Sequence, residues 1–471
     1  MTFRKRFFRN ILILGSYDYS SEIISFLSSV VLARLLLPEE YGIVAMVMVF
    51  SNFVVIFSGS GIGSDIIRSN YRLTYHKGML TLSLYIGLGL FVIMAALAYP
   101  IALFYDNMKL IGPTLVISSQ FIIKGILNVH YSLLMKSMHF NYLGKVNFFS
   151  NLYSSALMIL MAFLGFSYWS LIIPLIIAEV LKLLYLSAKT ELPFRIYPMP
   201  YVIAAFRQAR SIIGNIIGFS VINYWARNAD NMIIGKVYGE GPLGLYNRGY
   251  RFLNLSLKLI TRLFGGVMYP SMKELQDEGG DVRGEYINLL GIISLLNFPV
   301  GLVLILFPDA FVWILWGPNW MEVASYLPYF GLLIMLQTMI STTGKMYLLF
   351  HSERTLFLVG AISALIMIGA ILLGAQISVI SVARYYAFSY IVLIVPLQVI
   401  FGFIRSFGYS FQRMAAFWSP KLLLAIGLLF SIWNNYQGLT VILMTVYGLH
   451  LVIFQRKDII RILQYLKQRI Y

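Results

Sequence analysis

The chain has 471 residues, of which 59% are hydrophobic and only 12% are charged. Soluble domains carry roughly 25% charged residues, so this composition excludes an ordinary soluble enzyme and indicates an integral membrane protein. The sequence contains no Cys, which excludes disulfides, thiol catalysis, iron–sulfur clusters and zinc fingers. The formal net charge of +17 could suggest nucleic acid, but the basic residues are scattered over short loops without a groove-reading module.

Apolar runs between charged or Pro/Gly breaks predict an all-α polytopic membrane protein with about fourteen transmembrane helices, each near the ~20 residues that cross a bilayer. We number these predicted helices as spans 1 to 14. They lie at about 10–37, 42–64, 78–104, 110–135, 145–165, 168–188, 206–236, 244–270, 284–307, 322–350, 355–374, 376–403, 416–434 and 438–455. Spans 1, 7 and 8 differ from the rest because each contains three or more ionisable residues.

Lys and Arg are concentrated in alternate loops, which predicts the side of the membrane on which each loop lies. With a cytoplasmic N-terminus, the cytoplasmic side receives the basic clusters at 4–9, 68–77, 189–210 and 456–469. The opposite side then has mainly Lys109. We therefore predict that both termini are cytoplasmic and that the tail after span 14 is a basic amphipathic helix on the inner leaflet.

A repeated motif relates the two halves of the chain. Arg34-Leu-Leu-Leu-Pro-Glu-Glu-Tyr-Gly42 leads into span 2, and Lys236-Val-Tyr-Gly-Glu-Gly-Pro-Leu-Gly244 leads into span 8. An even number of spans separates the copies, so the repeats have parallel topology, which is a transporter plan. We predict an N-terminal six-helix lobe, a cytoplasmic linker, a C-terminal six-helix lobe, and two extra helices with a basic tail, at 1–188, 189–205, 206–403 and 404–471.

No catalytic or metal-binding motif is found in the sequence. The five His residues lack the spacing of metal ligands, and no Walker A loop is present for ATP hydrolysis. We therefore predict a protein that is not an enzyme and that uses neither a cofactor nor a metal.

Acidic residues inside the spans are candidates for ion coupling. Asp18 and Glu22 lie four residues apart on one face of span 1. Two ionised neighbours repel each other, which favours reversible binding of a proton or a sodium ion. A structural pair neutralised by a cation of another helix is the alternative. Asp230 of span 7 is a third candidate, whereas Glu179 and Lys182 of span 6 are predicted to neutralise each other.

Basic residues form a stripe along one face of span 8. The stripe follows helical spacing and consists of Arg248, Arg251, Lys258 and Arg262. Cations that face lipid are costly, so we predict a wet, cationic cavity that selects an anionic cargo such as phosphate groups. Arg248 could instead snorkel to the outer interface. Lys124 of span 4 and Arg227 of span 7 are further candidate cavity cations, although Arg227 could bridge Asp230.

Several motifs together resemble those of a known family. The first is Leu32-Ala-Arg-Leu-Leu-Leu-Pro-Glu-Glu-Tyr-Gly-Ile-Val-Ala-Met46, and others are Asn228-Ala-Asp-Asn-Met-Ile-Ile-Gly-Lys236, Gly244-Leu-Tyr-Asn-Arg-Gly-Tyr-Arg251 and Leu315-Trp-Gly-Pro-Asn-Trp320. They resemble the first hairpin, the seventh and eighth spans, and a turn after span 9 in bacterial polysaccharide transporters, the Wzx-like flippases. The likeness covers nearly the whole chain.

The resemblance implies both an architecture and a function. The family shares a superfamily with multidrug/toxin antiporters and peptidoglycan-precursor flippases, which implies two six-helix lobes around a central cavity. The implied function is to move a polyprenyl-diphosphate-linked oligosaccharide from the cytoplasmic to the periplasmic leaflet of the bacterial inner membrane. Membrane lipids, a coupling proton or sodium ion, and glycan polymerase machinery are the implied partners. Asp18 and Glu22 are not part of the resemblance.

Two other functions fit parts of the sequence. A multidrug or cation antiporter of the same superfamily would require a net acidic cavity, which the basic stripe of span 8 argues against. A membrane-embedded glycan polymerase or ligase would require a substantial outer loop, and the longest outer loop, at about 308–321, is short and apolar.

Overall fold

The computed structural model describes residues 3–59, 62–68, 73–190, 192–193, 195–265 and 268–454, and within these ranges the chain is helical without a strand. It forms two compact units that meet in sequence at Gly244 and Leu245, here called unit 1 and unit 2. The helices up to this division are α1 (Phe3–Leu35), α2 (Pro38–Gly59), α3 (Ile62–Arg68), α4 (Leu73–Ala96), α5 (Ala98–Tyr105), α6 (Ile111–Ser118), α7 (Gln120–Lys136), α8 (Phe140–Phe163), α9 (Trp169–Lys189) and α10 (Met199–Tyr238).

Helix α11 (Glu240–Gly265) begins in unit 1 and continues into unit 2. The remaining helices are α12 (Met268–Asp277), α13 (Val282–Leu306), α14 (Pro308–Leu315), α15 (Leu327–Ile340), α16 (Thr343–Leu349), α17 (Glu353–Ala375), α18 (Val379–Ser389), α19 (Val395–Gln398), α20 (Phe411–Trp433) and α21 (Gln437–Phe454). Short 3₁₀ helices span Met108–Leu110 and Pro318–Ser325.

The all-α, multi-pass class predicted from the sequence is confirmed. Among the described residues, ten helical stretches are long and apolar enough to cross a membrane. Spans 1, 7 and 8 correspond to α1, α10 and α11, which are not among the ten and which carry charged side chains. Span 14 corresponds to a shorter apolar stretch, Gln437–Ile453. The total of fourteen spans, the limits of the lobes and the side of each terminus stay predictions, and the basic tail lies outside the described residues.

Unit 1 consists of helices that pack side by side. α1 packs along α8, α4 along α7, α8 along α9, and α10 along both α4 and α2. Apolar side chains such as Ile66, Met79 and Val129 are fully buried between them. Because lipid is as apolar as these side chains, association of membrane helices depends on close packing and on hydrogen bonds between helices.

In unit 2, α13 packs against α15, and α17 packs against α18. The stretch from Val379 to Ser406 stays helical but widens into π turns at Tyr390–Ile394 and Val399–Ser406, on either side of Pro396, which has no N–H to donate. In the turn that follows, Tyr409 donates its hydroxyl to the Arg283 carbonyl at 2.8 Å. Burial raises the pKa of Tyr409, so its hydroxyl remains a donor.

The repeated motif makes a reciprocal contact at the starts of α2 and α11. A Cβ on Gly42 would overlap the backbone carbonyl of Glu240, and a Cβ on Gly244 would overlap the backbone carbonyl of Pro38. Gly42 corresponds to Gly244 in the repeat, and Pro38 corresponds to Glu240. Only residues without a Cβ allow two backbones to approach so closely.

We expect Gly42→Ala or Gly244→Ala to lower the free energy of unfolding by about 3 kcal/mol or more, because the added methyl group forces two helix starts apart. Gly369→Ala in α17 is the matched control, since nothing lies within 4 Å of a Cβ at that position. Thermal unfolding of the detergent-purified protein measures the difference. If Gly42→Ala is as stable as Gly369→Ala, the close contact between Gly42 and Glu240 does not contribute to stability.

Candidate functional site

The two acids of span 1 lie along a polar seam between α1 and α8. Asp18 and Glu22 are both half-buried. One turn further along α1, Ser25 accepts a hydrogen bond from the Asn151 amide at 2.9 Å. Asp18 is also within electrostatic range of Tyr131, whose hydroxyl is hydrogen-bonded to Asn147. The structure therefore places Asp18 near a tyrosine hydroxyl, and it places Ser25 of the same helical face in contact with an amide of α8.

Lys124 lies at the end of a chain of hydrogen-bonded side chains that connects α7 with α2. Its Nζ donates to Gln120 Oε1 at 2.7 Å, and the Gln120 amide donates to Ser51 of α2 at 2.5 Å. On α9, the predicted pair of Glu179 and Lys182 is present with an N–O distance of 3.1 Å, and both residues lie within electrostatic range of Lys124. Two Lys and one Glu leave this cluster net positive.

Asp230 is packed inside unit 1. It is only 2% exposed, and its Oδ1 accepts a hydrogen bond from the backbone N–H of Asn231 at 2.8 Å. The side chain of Arg227 lies outside the described residues, so the predicted bridge between Arg227 and Asp230 stays a prediction. Burial of this kind fits a carboxylate with a structural task as well as it fits ion coupling.

Three of the four cations in the α11 stripe have described side chains, and of these three one is buried and two are exposed. Arg248 is 3% exposed, and its guanidinium carbon lies 4.9 Å from the ring centre of Trp316 and 5.1 Å from that of Trp320. The expectation that Arg248 could snorkel to water is therefore wrong, because two indoles enclose the ion and stabilise it through their ring faces. This burial argues against the predicted role of Arg248 in binding cargo.

Arg251 and Lys258 lie on the open face of the same helix. Both side chains are exposed, as is Asn254 between them, whereas Leu253 and Ile260 are buried on the other face. The side chain of Arg262 lies outside the described residues. Helical spacing thus places a cation, an amide and a second cation in one row, which offers donors to a cargo larger than one phosphate.

Sequence analysis missed one buried cation, Lys421 of α20. It is 3% exposed, its Nζ donates to the Phe417 carbonyl at 3.0 Å, and it lies 3.9 Å from the centre of the Phe417 ring. His450 of α21 is within electrostatic range. The signal was available, because a single Lys inside the apolar run of span 13 is unusual.

A family comparison agrees with the motifs. A family model described as polysaccharide biosynthesis protein matches residues 31–325. This range contains the quoted motifs of the first hairpin, of spans 7 and 8, and of the turn after span 9. The resemblance to Wzx-like polysaccharide transporters is therefore confirmed.

Three curated relatives have similar sequences. The teichuronic acid biosynthesis protein TuaB of Bacillus subtilis (strain 168) is 24% identical over 57% of this chain and 55% of its own length. The succinoglycan biosynthesis transport protein ExoT of Rhizobium meliloti (strain 1021) is 25% identical over 66% of this chain and 62% of its own. The lipopolysaccharide biosynthesis protein WzxC of Escherichia coli (strain K12) is 23% identical over 74% and 71%. The matched region thus covers little more than half of TuaB.

Solved structures identify the fold. The lipid II flippase MurJ matches with a TM-score of 0.70 and 15% identity, over 95% of this chain and 100% of that chain. A multidrug resistance MATE family transporter of the MOP superfamily matches with a TM-score of 0.64 and 13% identity, over 86% and 98%. At these identities the likeness is one of fold alone.

Arg248→Met should lower the free energy of unfolding by about 1–2 kcal/mol, because it removes a desolvated cation from between two indoles. The control is Arg251→Met, one turn along the same helix on the exposed face, which should change that free energy by less than about 0.5 kcal/mol. Both values come from thermal unfolding in detergent. Equal effects of the two substitutions would show that the indole contacts contribute nothing.

Proposed function

This chain belongs to the polysaccharide biosynthesis protein family, and we propose that it is a flippase for a polyprenyl-diphosphate-linked oligosaccharide. It would move this cargo from the cytoplasmic to the periplasmic leaflet of the bacterial inner membrane. Its family and its fold agree with a transport protein rather than an enzyme. The names of TuaB, ExoT and WzxC, which refer to the biosynthesis or transport of polysaccharides, support a glycan as the cargo.

The observation that carries the proposal is the exposed row of Arg251, Asn254 and Lys258 on α11. A diphosphate that leaves interfacial water for a medium of low dielectric constant pays a large desolvation cost. Guanidinium and ammonium groups replace that hydration with charge-assisted hydrogen bonds, each roughly twice as strong as a neutral one. An exposed row can do this, whereas a fully buried cation such as Arg248 cannot reach a cargo.

Transport by alternating access would require an energy source, and we propose that an ion gradient supplies it. Asp18 and Glu22 are the candidates in the α1–α8 seam, because both carboxylates are half-buried beside groups that can orient an ion. A proton or a sodium ion bound there would remove the repulsion between two carboxylates. Protonation or sodium binding would thus favour one arrangement of α1 against α8 over another.

The second candidate function is that of a multidrug or cation antiporter, which the MATE-type fold permits. Such a transporter would bind a cation, and it would be impaired by the cations of α11 rather than dependent on them. Substitutions that remove or reverse these charges therefore separate the two functions.

Lys258→Glu should reduce the transfer of lipid-linked oligosaccharide between the leaflets of proteoliposomes by about tenfold or more, because a carboxylate repels the diphosphate. Lys258→Arg should be mild, since the charge is retained. Lys345→Glu serves as the matched control in unit 2, because Lys345 is also exposed and has no ion pair or hydrogen bond among the described side chains. Normal transfer by correctly folded Lys258→Glu would refute the cationic site, and faster export of a cationic drug would favour the antiporter.

Asp18→Asn and Glu22→Gln should each weaken gradient-driven transfer several-fold while downhill exchange continues, because a neutral amide cannot take up a coupling proton. Transfer is measured with imposed proton and sodium gradients. Glu278→Gln, an exposed acid in the turn after α12, is the control. Unchanged gradient dependence in both span 1 variants would identify these acids as structural.

A further inference from the structure

Unit 2 contains a polar cavity of about 470 Å³ that lies apart from the row on α11. It is bounded by the end of α13, the starts of α15 and α18, and the turn between α20 and α21. Under the predicted topology this end of unit 2 faces the periplasm. Its volume suits a small ligand, and its polar lining includes Asp309, Arg384, Asn435, Gln437 and Thr440.

Arg384 presents its guanidinium to this cavity in a fixed position. Its Nε donates to the Tyr329 hydroxyl at 2.8 Å, and its guanidinium carbon lies 5.7 Å from the ring centre of Tyr329 and 5.5 Å from that of Trp433. Within the described part of the chain, neither terminal nitrogen of Arg384 has an acceptor. Both nitrogens can therefore donate to a ligand, and this fork matches the two oxygens of a carboxylate or a phosphate.

The rest of the lining matches the neutral parts of a sugar. The exposed side chains of Asp309, Asn435 and Gln437 supply acceptors and donors for hydroxyl groups. Among the described residues, Asp309 forms no ion pair with Arg384, so this carboxylate does not neutralise the guanidinium. The Trp433 indole, 36% exposed, stacks against Arg384 and helps to hold the guanidinium in place.

We propose that this cavity binds an acidic sugar, with its carboxylate or phosphate on Arg384 and its hydroxyls on Asp309, Asn435 and Gln437. The proposal rests on the proposed function for the source of the sugar, which is the glycan delivered to the periplasmic side. A phospholipid headgroup carries the same anionic chemistry, so the experiment distinguishes the two sources.

The test measures sugar binding to the full chain in nanodiscs of zwitterionic lipid by ligand-observed NMR, with methyl glucuronide and neutral methyl glucoside as probes. We expect methyl glucuronide to bind about tenfold more tightly, because it gains a bidentate charge-assisted pair. Arg384→Gln should abolish this preference. Arg405→Gln should retain it, since Arg405 lies at the other end of the same helical stretch and also stacks on a ring, 4.8 Å from the centre of Phe401.

Val441→Trp tests whether the sugar binds in the cavity, and it leaves the charge of Arg384 unchanged. Val441 is an exposed wall residue, so the larger side chain should fill the cavity and weaken the binding of both sugars about tenfold while the protein still folds. Equal affinity for the two sugars, or a preference that survives in folded Arg384→Gln, would overturn the proposal. So would loss of methyl glucuronide binding when phosphatidylglycerol replaces the zwitterionic lipid, which would assign the site to a headgroup. Because binding is measured without translocation, a failure to flip cargo would refute the proposed function and leave this site standing.

Discussion

The start of α11 is fixed by a backbone contact that only glycine permits. Gly42 and Gly244 let the first turns of α2 and α11 approach each other reciprocally, through Pro38 and Glu240. A helix held at its first turn has a defined rotation about its own axis, since each residue advances the side-chain direction by a constant angle. The rotation of the first turn of α11 against α2 therefore depends on a contact that contains no charge.

The cations inside the helices are stabilised in different ways. Arg248 has the faces of two indoles, Lys124 has an amide, and Lys421 has a carbonyl and a ring. Arg248 and Lys421 are each only 3% exposed, so their partners replace water, whereas Lys124 is half-buried. Arg251 and Lys258 remain exposed and can exchange water for a ligand.

A sequence predicts the structural elements that depend on a local pattern of residues. It does not predict contacts between residues that are distant in the chain. Apolar periodicity is a local property, and it located the ten apolar stretches. Spans 1, 7 and 8, which are the richest in ionisable residues, are the long helices that are missing from these ten among the described residues. The burial of Arg248, in contrast, depends on Trp316 and Trp320, which are far along the chain and have no spacing that relates them to α11. A stripe on a helical wheel therefore could not predict that Trp316 and Trp320 cover Arg248.

A flippase site must be weak enough to release its cargo, and the exposed row on α11 would meet this requirement in the proposed function. A buried, unpaired cation would bind a diphosphate tightly, because the empty state would carry the full cost of desolvation. The side chains of Arg251 and Lys258 are exposed, so in the proposed function a diphosphate that binds them would exchange hydration for charge-assisted hydrogen bonds at a small net free energy. Several contacts of this kind stabilise the cargo along its path without a deep minimum at any point. In the proposed flippase, the enclosed arginine of α11 would thus stabilise the fold, and the two exposed cations of the same helix would contact the cargo.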